Sequence, residues 1–151
     1  MRQSSKPGSF FGKVDRKQGD ELRRGRLELG DPRARAAIVK GRTLVVLVDA
    51  SASMQATDVS APAKTRLDAA REEVKKMLRG LGGSDRMLIA QMDSQVTALG
   101  PMSGDTSELE RALDALRPTD ARADFPRALR FATDALRGAD GPEIVVVSDG
   151  A

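Results

Sequence analysis

Four residue types are missing from this 151-residue chain: it has no Cys, His, Trp or Tyr. Without cysteine there is no disulfide, no thiolate metal ligand and no thiol nucleophile. Without histidine there is no imidazole ligand and no His-based proton transfer. Any metal site must therefore be built from oxygen. Four Phe are the only aromatics, which leaves little for stacking nucleic-acid bases. Long hydrophobic runs are missing too. No stretch approaches the roughly 20 apolar residues that span a bilayer, and no signal-peptide core is visible. The longest run, Leu44 to Val48, has the length of a strand. The chain as given therefore reads as soluble. Absence of cysteine does not fix the compartment, so the cytoplasm is open to it, as is membrane attachment of a longer parent.

What the chain does hold is enough for one domain with a core. Charge is divided unevenly. Residues 1–41 carry 11 Lys/Arg against 5 Asp/Glu, whereas residues 42–151 carry 14 against 17. The overall charge of +3 thus comes from the N-terminal segment. Its basic cluster Arg23-Arg24-Gly25-Arg26 suits phosphate or an anionic lipid surface, but with so few aromatics a solvated tail is the better reading, without specific nucleic-acid binding.

Residues 1–40 are polar and weakly periodic, and are expected to be mostly flexible, with room for a short helix from Asp31 to Val39. From Gly41 the pattern becomes regular. Arg42 to Asp49 reads as a strand buried on both faces. After a loop through Pro62, Thr65 is a helix N-cap with Asp68 completing a capping box. Leu67, Ala70, Val74, Met77, Leu78 and Leu81 recur at helical spacing, and Gly80, Gly82 and Gly83 end that helix. Arg86 to Asp93 is a second strand. Asp93-Ser94 turns tightly, so Val96 to Leu99 must return antiparallel. A capping box at Ser107-Glu108-Leu109-Glu110 opens a helix through Leu116, and Pro118 ends it. A further helix starts at Asp124 or Phe125, with Phe125, Leu129, Ala132 and Leu136 on its buried face. Glu143 to Ser148 is the last strand. This order predicts a three-layer, Rossmann-like α/β fold: a mostly parallel sheet, helices on both faces and one short antiparallel edge strand. The expected division is a basic segment over 1–40 and a partial domain over 41–151.

Two long apolar strands both run into an aspartate, Val48-Asp49 and Ser148-Asp149. If they are central and adjacent, their carboxyl ends bring together Asp49, Ser51, Ser53 and Asp149, at the place where open α/β sheets bind ligands. Two carboxylates and two hydroxyls on short loops suit a hard cation such as Mg²⁺, completed by water.

Asp49-Ala50-Ser51-Ala52-Ser53 resembles the D-x-S-x-S motif of von Willebrand factor type A domains, and Ser148-Asp149-Gly150 resembles their second aspartate motif. The resemblance covers about Gly41 to Ala151. The longer phrase from Asp49 to Val59, followed by Thr65-Arg66-Leu67, is most similar to the bacterial BatA-type branch of membrane-associated proteins. The resemblance implies a metal-ion-dependent adhesion site. Ser51 and Ser53 would be direct ligands, with Asp49 and Asp149 acting through bound water. The ion would be Mg²⁺, with Mn²⁺ or Ca²⁺ as alternatives. Its open position would take an acidic side chain of a protein partner, and the function would be binding, not catalysis.

Two departures qualify this expectation. The family's third direct ligand, a Thr, falls at Ala123, so a hydroxyl is missing and affinity should drop unless water, Thr119 or Asp120 fills the gap. The family's sheet also continues past the Asp-Gly, whereas this chain ends at Ala151. The domain is therefore expected to be truncated, with its last strand as an unpaired edge. Two other functions compete. One is a metal-free scaffold that associates through that exposed edge. The other is a phosphate-handling enzyme, disfavoured because a haloacid-dehalogenase-type acid two residues after Asp49 is replaced by Ser51 and no Gly-rich phosphate loop follows the strand. Asp58 and Asp93 read as turn residues, Asp124 as a helix N-cap, and Met77 and Met87 as core.

Overall fold

A computed structural model describes residues 11–14, 40–58 and 64–151. The expected helix over 31–39, the basic cluster at 23–26 and the flexible character given to most of 1–40 lie outside the described residues.

Among the described residues, five strands form one sheet: β1 (Phe11–Val14), β2 (Thr43–Asp49), β3 (Arg86–Met92), β4 (Val96–Ala98) and β5 (Pro142–Val147), in the order β1-β5-β2-β3-β4. The described α-helices are α1 (Arg66–Arg79), α2 (Thr106–Asp114) and α3 (Phe125–Ala135). β2 lies between β3 and β5 and is parallel to both. Val48 pairs with Val147 and with Gln91, so the carboxyl ends of all three strands are level.

The unbroken apolar run in β2 follows from this central place. Side chains alternate across a strand, and here both sides are covered. Leu44, Val46 and Val48 join a core cluster with Leu67, Ala70, Val74 and Leu78 of α1 and Leu109 and Leu113 of α2. Val45 and Leu47 point the other way, into a cluster with Ala128 and Ala132 of α3. These are the three layers expected. Met87 is fully buried and Met77 packs against the first cluster, as core residues.

Local signals place most of the element ends. Thr65 caps α1 and forms the full capping box with Asp68. Asp124 caps α3 through the Arg127 N–H. Asp93 makes the β3–β4 turn, its carboxylate accepting from the Gln95 N–H at 2.8 Å. β4 runs antiparallel to β3, as predicted.

Three expectations change. The N-cap of α2 is Asp105, whose carboxylate accepts from the N–H groups of Ser107 and Glu108, so the helix starts earlier than the Ser107 box implies. Both residue types satisfy the same orphan donors, and the upstream one is used. Leu129 is 37% exposed, not buried. α3 instead presents the small residues Ala128 and Ala132 to the sheet. The edge of β5 is not free: β1 pairs with it antiparallel, from Phe11 opposite Val147 to Val14 opposite Ile144. The sheet therefore has a short antiparallel strand on each edge. A strand that precedes the domain in sequence supplies the missing ladder partners, which no local pattern in Phe11–Val14 announces.

Candidate functional site

Asp49 is the last residue of β2 and is 0% exposed. A carboxylate buried there needs donors for both oxygens. The Ser51 N–H supplies one at 2.9 Å and the Ser148 hydroxyl the other at 2.6 Å. The first bond is local and shapes the turn off the strand. The second crosses from the end of β5, 99 residues away in sequence.

The loop then tightens into a 3-10 turn, Ala52–Gln55, with Met54 buried beneath it. This turn brings the hydroxyls of Ser51 and Ser53 within 3.3 Å of each other. On the far side, Gly150 with φ of 73° bends the chain away from β5, a backbone shape that suits glycine. Asp149 faces the Ser53 hydroxyl. Burial works to raise its carboxyl pKa, but hydrogen bonds from the Ala151 N–H, Arg66 and Ser53 outweigh that and hold it below the ordinary value. The carboxylate is thus kept ionised although only 2% of the side chain is exposed. The structure therefore brings together Asp49, Ser51, Ser53 and Asp149, the four residues singled out in the sequence.

The third-ligand position is different. Ala123 packs against the core cluster under α3 and offers no oxygen. The preceding loop does lie against the site: Thr119 donates its N–H and its hydroxyl to the Ala50 carbonyl at 2.8 and 3.1 Å, and Ala52 donates its N–H to the Ala121 carbonyl. Asp120 stands at the rim, where Gln55 donates to it at 3.3 Å. Neither Thr119 nor Asp120 is turned into the hydroxyl pair.

One participant is absent from the site residues that the sequence singles out. Arg66, at the start of α1, donates from Nη1 to Asp149 Oδ2 at 2.6 Å and from Nε to Asp58 Oδ1 at 2.8 Å, with Nη2 also on Asp58. Asp58 is therefore a partner of this arginine and more than a turn residue. The contact with Asp149 spans 83 residues, beyond the reach of any spacing rule.

Chemically, the site offers two hydroxyl oxygens between two carboxylates. Among the described residues no cluster of three or more Asp, Glu, His or Cys is placed to hold a metal. A cation here would rest on the hydroxyls as much as on the carboxylates. That donor set is all hard oxygen and fits Mg²⁺, Mn²⁺ or Ca²⁺. No described helix is long and apolar enough to cross a membrane.

A three-layer α/β fold thus carries an oxygen-lined loop at the level carboxyl ends of β2 and β5, the place where open α/β sheets commonly bind ligands. The chain belongs to the von Willebrand factor type A domain family, whose model matches residues 44–151. This fold is often used for protein–protein interaction. No protein of curated function matches the sequence. Among solved structures, the chain is similar to an uncharacterized membrane spanning protein from Vibrio fischeri, at 20% identity and TM-score 0.59, over 65% of this chain and 50% of that one. It is equally similar to BatB from Bacteroides thetaiotaomicron, at 21% identity and TM-score 0.59, over 67% and 49%. The PilB minor pilin from Streptococcus sanguinis matches at 17% identity and TM-score 0.57, over 66% and 27%. At such identities the likeness is one of fold. The chain spans about half the length of the first two proteins.

Proposed function

We propose that this domain is a non-catalytic binding module whose Asp49–Ser53 loop holds a divalent cation, Mg²⁺ first, and through it an acidic side chain of a protein partner. Ser51 and Ser53 are the direct ligands, and Asp49 and Asp149 act through metal-bound water. The observation that carries this reading is the pair of Ser hydroxyls 3.3 Å apart, between the carboxylates of Asp49 and Asp149. With neutral oxygens as direct ligands, the ion keeps most of its positive charge and attracts an incoming carboxylate. Ala123 leaves one position to water, which lowers affinity.

An enzyme of the phosphate-handling type is not favoured. Ser51 stands where a general acid would be needed, and the chain has no His or Cys to replace it. Association through a free β5 edge loses its basis, because β1 occupies that edge.

The test is calorimetric titration of Mg²⁺ into wild type, Asp49→Ala and the double variant Ser51→Ala, Ser53→Ala. Wild type should bind and both variants should lose binding. Identical traces for all three would sink the metal-site reading.

A further inference from the structure

We propose that Arg66 is a built-in counter-cation that competes with the divalent ion for Asp149, and so sets the affinity of the loop. This inference rests on the metal-binding reading above and deepens it.

The guanidinium lies between two carboxylates of different character. Asp58 is exposed and takes two corners of the planar fork, Nε and Nη2. That grip leaves Nη1 aimed at Asp149, whose side chain is 2% exposed. Asp58 thus acts as an anchor that orients the arginine, and Asp149 is the buried target. A guanidinium is always charged and has a fixed fork, so this is a permanent positive group beside the site.

The acceptor positions of Asp149 point the same way. A carboxylate has about four such positions. Donors from the protein take two of them, one on each oxygen: the Ala151 N–H at 3.1 Å on Oδ1 and Arg66 Nη1 at 2.6 Å on Oδ2. A hydrated cation approaching Ser51 and Ser53 needs Asp149 to accept from its waters. It also needs Ser53 to turn its lone pairs inward. With Arg66 in place, the negative charge that should attract the ion is already neutralised. The guanidinium also repels the ion across a short, partly buried path where salt screens weakly. A purely structural role predicts the opposite sign: loosening Arg66 would disorder the start of α1 and weaken binding.

The experiment is calorimetric titration of Mg²⁺, at constant ionic strength, into wild type, Arg66→Gln and Arg66→Lys, each verified as folded by far-UV circular dichroism. Arg66→Gln should bind at least roughly tenfold more tightly than wild type, while Arg66→Lys, which keeps the charge, should stay within about threefold of it. Equal or weaker binding by Arg66→Gln overturns the inference and leaves the metal site standing. No binding by any of the three, unchanged by Ser51→Ala and Ser53→Ala, overturns both. If Arg66→Gln does not fold, the Arg66 Nε–H resonance of the wild type decides. Its movement on addition of Mg²⁺ supports competition. A fixed resonance, while the Ser51 and Ser53 amides shift, overturns it.

Discussion

Replacing Asp85 with asparagine should destabilise the domain in a pH-dependent way. Asp85 stands just before β3, at the end of the sheet opposite the Asp49 loop, and is 8% exposed. Its carboxylate accepts from the Arg42 N–H at 2.8 Å, the Gly82 N–H at 3.0 Å, and Arg42 Nε and Nη2 at 3.2 and 2.6 Å. One side chain thereby ties the entry to β2, the turn after α1 and the start of β3. Burial alone would raise its pKa, but these hydrogen bonds and the guanidinium charge outweigh burial and bring it from 3.8 down to about 2. A folded pKa below the unfolded one means that the ionised form favours folding. The contribution is complete above the unfolded value and is lost as pH falls towards the folded one. The size is about 2 kcal/mol at neutral pH, of which about half remains at pH 3. Asp85→Asn should therefore cost about 2 kcal/mol at pH 7, and its gap from wild type should shrink by about 1 kcal/mol at pH 3. Urea unfolding followed by far-UV circular dichroism suits the assay, since the chain has no Trp or Tyr to report by fluorescence. A gap of the same size at both pH values would refute the electrostatic account, and no gap at pH 7 would refute the role of Asp85 altogether.

Two further substitutions probe the framework, one at the end of the sheet far from the site and one beside it. A Cβ on Gly41 would sit 1.7 Å from the Ser84 carbonyl oxygen, a backbone atom that cannot swing aside. Gly41→Ala should thus cost more than about 2 kcal/mol and lower Tm by at least about 4 °C, and an unchanged melting curve would contradict this packing. Thr65→Ala removes the capping box that starts α1 beside Arg66. It should cost about 1 kcal/mol in urea unfolding, with Thr65→Ser retaining most of the stability, and equal losses for the two would argue against the cap.

Local sequence determined much of this protein. A strand-length, valine-rich apolar run ending in Asp49 reads as a strand covered on both sides, and that placed β2 at the centre. Thr65 and Asp124 are short oxygen-bearing side chains before amphipathic stretches, so they announce the starts of α1 and α3. The matching ends of β2 and β5 were enough to bring Asp49, Ser51, Ser53 and Asp149 together on paper, because parallel neighbours must end on the same side. Tertiary structure alone decided the rest. The three- and four-residue spacing of α3 does not fix which side of the helix meets the sheet, and close packing set Ala128 beside Ala132 there and left Leu129 exposed. The pairing of β1 with β5 joins segments about 130 residues apart, and backbone ladders carry no side-chain signature. The Arg42–Asp85, Ser148–Asp49 and Arg66–Asp149 bonds each depend on where the chain returns after 43, 99 and 83 residues. The sequence could name the oxygens of the site, since their chemistry is local. It could not show that one carboxylate is already shared with an arginine, because a charge pair is a property of distance, and distance is set by the fold.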